Sequence, residues 1–196
     1  MQGQNREKIT QRYGIALGAN LDSTFGTALQ TLKESLRLFS GESLEVRAQS
    51  QWYSTPAFPA GSGPDFVNAA VLVETEKRPT EVLAALHRIE QALGRTRDNR
   101  WEPRICDLDI VFCDDLVLPD RETYDRWRNL GFSQQKSESP EDLILPHPRL
   151  QDRAFVLVPL RDVAPDWRHP VSGLGISEML AALPPNEIAE IAVIEG

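Results

Sequence analysis

Apolar positions along the chain change period several times, and each change marks an element. Tyr13 to Leu17 is a short apolar run ending in Gly18-Ala19-Asn20, which predicts a strand and then a turn. Phe25, Ala28, Leu29, Leu32, Leu36 and Phe39 recur at helical spacing between Ser23, a candidate cap, and Gly41, a stop. A strand is expected over 44–53, a Pro- and Gly-rich loop over 55–65, and a strand over 66–74. Pro79 opens a helix whose face is Val82, Leu83, Leu86, Ile89 and Leu93, closed by Gly94. A polar loop over 95–104 precedes a strand over 105–113. The resulting order β-α-β-β-α-β is the split β-α-β signature of an α+β fold, with two helices covering one face of an antiparallel sheet.

Periodicity then fails. The stretch 115–143 holds Pro119, Gly131 and Pro140 among many charged residues, and reads as an inserted excursion with one helical turn near 121–130. Helical segments at 155–163 and 176–183 and an edge strand at 188–194 close the chain. The organisation expected is a polar tail at 1–11 and a single domain at 12–196.

Charge changes this picture in one respect. The chain has 196 residues with 29 acidic and 21 basic side chains, a net charge of -8, which disfavours nucleic acid or an anionic membrane as partner. Any anionic ligand must be held by a local basic cluster. The longest apolar runs, such as Ala69 to Val73, fall short of a membrane span, and the polar amino terminus lacks a secretory signal, so a cytoplasmic location is expected. Cys106 and Cys113, seven apart in one strand, are expected on opposite sides and too far apart to bridge.

Chemistry concentrates at Asp107-Leu108-Asp109. On a strand Cys106, Leu108 and Ile110 point to one face while Asp107 and Asp109 project together from the other, their Cα atoms about 6.6 Å apart. Two such carboxylates repel unless a cation lies between them, and oxygen ligands suit Mg²⁺, which completes its shell with water and substrate phosphates. An Asp-x-Asp alone also fits a solvated sheet face. Just upstream, however, Arg95, Arg97, Arg100 and Arg104 surround Trp101 within ten residues, and guanidinium forks match phosphate oxygens. The combination points to metal-assisted phosphoryl transfer. There is no glycine-rich phosphate loop of either common pattern. His147 and Arg153 are further phosphate donors; His87 and His169 read as structural, and three histidines without Cys-x-x-Cys disfavour zinc.

Leu17-Gly-Ala-Asn20-Leu, Tyr53-Ser-Thr55-Pro56, Asp65-Phe-Val-Asn68-Ala, Ile89-Glu90 with Gly94-Arg95, Arg100-Trp-Glu-Pro-Arg104-Ile-Cys-Asp107-Leu-Asp109-Ile and Leu145-Pro-His147-Pro-Arg149 together resemble the 6-hydroxymethyl-7,8-dihydropterin pyrophosphokinase family. The likeness runs over about residues 13–165, in order and at compatible spacing. It implies a ferredoxin-like α+β sandwich and transfer of pyrophosphate from ATP to the pterin hydroxymethyl group in folate biosynthesis, with AMP released. It implies that Asp107 and Asp109 hold two Mg²⁺ ions arriving with ATP, and that Arg95 and Arg104 act on the transition state. Arg97, Arg100, Trp101, Ile110, His147 and Arg153 would bind the nucleotide, and Thr55, Pro56, Phe58, Phe66, Asn68 and Phe155 the pterin, with the two rings Phe66 and Phe155 sandwiching the heterocycle. The partners implied are ATP and the hydroxymethyl pterin, acted on by a monomer.

Three departures accompany the likeness. Glu102 stands where the family usually has Gly, Phe66 where Tyr is frequent, and the 37 residues between Asp109 and His147 exceed what a compact member needs by roughly twenty. Two other readings fit the residues: a catalytically silent pterin- or nucleotide-binding regulatory module, and another Mg²⁺-dependent phosphotransferase.

Overall fold

The computed structural model of the chain describes residues 9–57, 63–94, 105–131, 134, 138 and 140–195. Six strands form one antiparallel sheet: β1 (Gln11–Ala19), β2 (Glu45–Gln49), β3 (Trp52–Thr55), β4 (Phe66–Thr75), β5 (Asp107–Cys113) and β6 (Ala192–Ile194). Their order is β5-β1-β4-β3-β6, with β2 also paired to β4. The expected β-α-β-β-α-β sequence of elements is present, with its second strand broken in two. Ser50 makes the break: its backbone N–H donates to the Ala70 carbonyl and its Oγ accepts the Ala70 N–H, each at 2.9 Å, so a side chain replaces one carbonyl of the ladder.

Helices α1 (Ala28–Phe39) and α2 (Pro79–Ala92) cover one face. The start of α1 differs from the expected Ser23 because a short turn joins Ser23 to Gly26; Thr27 is the cap, in a capping box with Gln30. Phe25 consequently stays outside the helix, 44% exposed. Pro79 opens α2 and the Glu81 carboxylate accepts the Arg78 N–H. Between these helices and the sheet lies a core of Tyr13, Ile15, Leu17, Val71, Val73, Leu86, Ile89, Leu108 and Ile110.

The other face is covered too, which the expected two-helix layout leaves open. Here α4 (Ala154–Val163) and α5 (Ile176–Ala181) pack on Ala70, Phe112 and Tyr53. A last helical turn, α6 (Pro185–Ala189), shortens the expected terminal strand. With both faces buried, the central strand β4 has no polar alternation over Ala69–Val73.

The excursion packs its base leucines Leu116, Leu118, Leu143 and Leu145 on the α1/α2-side core, and its middle is tied to His169 beside Trp167. Leu118 and Leu145 pair across its base, and α3 (Arg121–Arg128) contributes Tyr124 and Trp127 to a small cluster with Ile144. Tyr124 is fully buried, with its hydroxyl 2.8 Å from His169 Nε2. His169 Nδ1 accepts the N–H groups of Val171 and Ser172, so the ring proton sits on Nε2 and is donated to Tyr124. Trp167 stacks on Phe112 with centroids 4.4 Å apart and donates its indole N–H to the Asp114 carbonyl.

Both cysteines are free and buried, yet they lie in the same core cluster, contrary to the opposite faces expected from their spacing. The pairing of β1 with β5 slips between Gly14 and Ile15, leaving Val111 without a partner residue. This bulge reverses the alternation, so Cys113 returns to the side of Cys106.

Burial pushes the His169 pKa down from 6.5 to about 4. The unfolded chain therefore binds the extra proton first, and stability fully present above pH 6.5 is lost as pH falls toward 4, by up to about 3 kcal/mol. Denaturant unfolding from pH 8 to 4.5 should show this loss and show it reduced in His169→Gln; a pH-independent difference between the two proteins would contradict the assignment. Tyr124→Phe, which strands the Nε2–H, should cost about 1–3 kcal/mol at pH 7.5.

Candidate active site

The strand register brings the candidate residues into one row. Asp107 of β5 lies opposite Gly18 of β1, Gly18 opposite Asn68 of β4, and Asn68 opposite Tyr53 of β3. Opposed residues share a face, so Asp107 and Asn68 look out from the α4 side of the sheet with a glycine between them, their backbones about 10 Å apart. In the flanking rows Asp109 faces Ala16 and Thr55 faces Phe66. Both carboxylates are half-buried, on the face away from Leu108 and Ile110, as the alternation predicts.

Small residues keep the middle of this row open. A β-carbon on Gly18 would stand 3.3 Å from Asn68 Oδ1, closer than most real contacts, so the bare backbone forms a floor between the carboxylates and the amide. Gly14, four residues earlier on the same face, has the opposite use: the Phe112 ring lies where its β-carbon would be, within 2.7 Å, and closes that end of the face. Asn68 is buried, and its Nδ2 donates to Thr55 Oγ1 at 2.8 Å. That bond fixes the amide so that Oδ1, an acceptor, is the group beside Gly18.

His147 reaches the site through the Val111 bulge. The extra residue turns its carbonyl out of the β1 ladder, and His147 N–H donates to it at 2.8 Å. His147 Nδ1 accepts the Arg149 N–H at 3.1 Å, which places the ring proton on Nε2. Burial first, and the Arg153 guanidinium second, push the His147 pKa down to about 3 against the pull of Asp107. The imidazole is therefore a neutral donor at physiological pH, electrostatically coupled to one of the two carboxylates and to Arg153. Arg153 precedes α4, and its guanidinium carbon lies 5.7 Å from the centroid of Phe155.

The remaining candidates divide clearly. Thr55 is buried, Phe66 half-buried, Pro56 exposed, and Phe155 is 41% exposed for an aromatic side chain at the start of α4. Ile110 is buried in the helix-side core, so only its backbone faces the carboxylate row. Phe58, Arg95, Arg97, Arg100, Trp101 and Arg104 lie outside the described residues. Sequence reasoning passed over Gly18 and Glu90 as functional residues, although both stand inside the quoted motifs. The signal available was a glycine flanked by apolar residues in a strand, and an acid on the apolar stripe of a helix. Glu90 is 1% exposed and accepts the Leu108 N–H.

Among the described residues no group of three or more His, Cys, Asp and Glu side chains could hold a metal ion. Two half-buried carboxylates on one strand are an oxygen-only partial set, which fits Mg²⁺ that takes its other ligands from water and phosphate. No helix among the described residues is long and apolar enough to cross a membrane. The open cavity lined by Arg12, Phe39, Arg47, Glu74 and Lys77 lies at the other end of β1 and β4, where Arg47 and Glu74 pair at 2.7 Å.

The chain is similar to known proteins over most of its length. A family profile described as 7,8-dihydro-6-hydroxymethylpterin-pyrophosphokinase (HPPK) matches residues 14–165. A 2-amino-4-hydroxy-6-hydroxymethyldihydropteridine pyrophosphokinase of Pseudomonas aeruginosa is 37% identical over 176 residues, 90% of this chain and 94% of that protein. One from Synechocystis is 35% identical over 166 residues, 85% of this chain and 73% of that protein. Among solved structures, the Plasmodium falciparum HPPK-DHPS wild type with pteroate aligns with a TM-score of 0.63 at 16% identity over 88% of this chain. The alignment spans 44% of that longer protein, and at this identity it speaks to the fold alone. The profile match and the near-full-length relatives make this chain a member of the 7,8-dihydro-6-hydroxymethylpterin-pyrophosphokinase family, the ATP-dependent diphosphotransferases of folate synthesis.

Proposed function

We propose that this chain transfers the terminal pyrophosphate of ATP to the hydroxymethyl oxygen of 6-hydroxymethyl-7,8-dihydropterin. The observation that carries this reading is the row Asp107, Gly18, Asn68 with Asp109 in the next row: two metal-competent carboxylates on one side of a glycine floor and a fixed amide acceptor on the other. One end is suited to a metal-bound polyphosphate, the other to the polar edge of a flat heterocycle. Thr55, by receiving the Asn68 Nδ2–H, makes the amide oxygen the group that reads a ring N–H or amino group. Phe66 and Phe155 stack on the ring, with Pro56 and Phe58 completing the pocket.

The hydroxymethyl oxygen attacks the β-phosphorus in line, the bond from that phosphorus to the α,β-bridging oxygen breaks, and AMP leaves with the bridging oxygen. Asp107 and Asp109 hold two Mg²⁺ ions, which arrive with ATP and supply charge neutralisation on the phosphates. His147 is a donor and not a base, since Nδ1 is engaged by the backbone and Nε2 already carries the proton. Its neutral N–H and the Arg153 guanidinium meet phosphate oxygens, and the Ile110 backbone meets the base or ribose. Arg95 and Arg104 meet the charge that develops in the transition state, and Arg97, Arg100 and Trp101 hold the nucleotide. The protein acts as a monomer.

Release of AMP from ATP, dependent on the hydroxymethyl pterin and on Mg²⁺, tests the reaction. Asp107→Asn and Asp109→Asn should each abolish most turnover while leaving the metal-free fold within about 1 kcal/mol of the parent. Near-normal turnover of either variant at saturating Mg²⁺ would remove that carboxylate from the metal site. The His147 ring should remain neutral down to pH 5 in the ligand-free protein, with Nδ1 as acceptor and Nε2 protonated. Nitrogen-15 chemical shifts of the imidazole read this directly; a titration near 6.5 would show an exposed, unconstrained ring.

A further inference from the structure

On the reverse side of the strand that carries the two carboxylates, α2 buries a third. Glu90 is 1% exposed, and its Oε1 accepts the Leu108 N–H at 2.9 Å. Leu108 lies between Asp107 and Asp109 and pairs with Leu17, and among the described residues β5 is the last strand on its side of the sheet. An outermost strand presents backbone donors that no neighbouring strand receives. The donor midway between the two carboxylates goes instead to a carboxyl oxygen on a helix.

Packing alone does not call for a carboxyl group there. A buried carboxylate is costly to desolvate, and an apolar side chain of similar volume serves a core as well or better. Leu86 and Ile89 on the same helix, with Leu93 at its C-cap, already pack in one cluster with Leu108 and Ile110, so α2 is anchored to β5 without Glu90. What the carboxylate adds is direction. It is an acceptor at one defined point of the strand, at the pleat that aims the side chains on either side.

We propose that Glu90 is a positioning residue of the metal–nucleotide site: by holding the Leu108 N–H it sets the pleat of β5 so that Asp107 and Asp109 present their carboxylates together on the opposite face. The inference rests on Asp107 and Asp109 being the Mg²⁺ ligands. Groups that orient ligands without touching the metal change its affinity about 10- to 100-fold when removed.

The test compares Glu90→Gln, which keeps an acceptor, Glu90→Asp, which keeps the carboxyl group but shortens the reach, and Glu90→Leu, which keeps the packing. Two readouts need no turnover: exchange of the Leu108 amide in the metal-free protein, and the Mg²⁺ midpoint for binding a non-hydrolysable ATP analogue. Leu and Asp variants should expose the Leu108 amide and raise the midpoint by about tenfold or more, and Gln should stay close to the parent in both. Should Glu90→Leu fail to fold, Asp against Gln decides the matter. An Asp or Leu variant with an exposed amide and an unchanged midpoint would overturn the proposal, leaving Glu90 a structural residue. So would a Gln variant as impaired as Leu while its amide stays protected. If the parent itself binds the analogue without regard to Mg²⁺, the reading of Asp107 and Asp109 fails first, a result distinguishable from any difference among the variants.

Discussion

Val111 has no residue opposite it on β1, and most of the site geometry follows from that one excess residue. Before the bulge, Asp107 and Asp109 face α4 while Leu108 and Ile110 face α1 and α2; after it, Phe112 faces α4 and Cys113 faces the other way. A regular strand would send Phe112 into the helix-side core and remove the ring that covers Gly14 and stacks on Trp167. The bulge also frees the Val111 carbonyl, which receives the His147 N–H. One local irregularity thus puts Phe112 beside Val111 on the α4 face and ties a histidine to the boundary between polar and apolar residues.

The two faces of the sheet divide the work. The α1/α2 side is a continuous apolar core built from alternate residues of β1, β4 and β5. The α4 side is apolar only toward Phe112, Leu157 and Met179, and toward Gly18 and Asn68 it gives way to carboxylates, an amide and bare backbone. Side chains on this open end are held by bonds that do not depend on a ligand: Asn68 by Thr55, His147 by Val111 and Arg149. Such holding before binding keeps the ordering cost low when substrates arrive.

The excursion over 115–143 belongs to the same economy of anchoring. Its ends meet at Leu118 and Leu145, two residues from His147, and Tyr124 docks it on His169. A long connection is thereby closed at its base, beside His147. His169, read from sequence as a structural turn histidine, is that, and also the buried donor on which the excursion rests.

Sequence alone determined the order of the elements, because each carries its own period and punctuation: Pro79 and Gly94 around α2, the apolar run 69–73, the Asp-x-Asp alternation in β5. The motif string also determined the family, since Arg100 to Ile110 combines residue types that packing does not require. Register was beyond it. A residue added to one strand is invisible until its partner strand is known, so the side taken by Cys113, the cover over Gly14 and the anchor of His147 could not be read. The same holds for the row Asp107, Gly18, Asn68, Tyr53, drawn from four strands far apart in the chain, and for Glu90, whose place on an apolar helix stripe acquires meaning only beside Leu108. Periodicity records which face a residue takes along its own strand; hydrogen bonding between strands decides which faces meet.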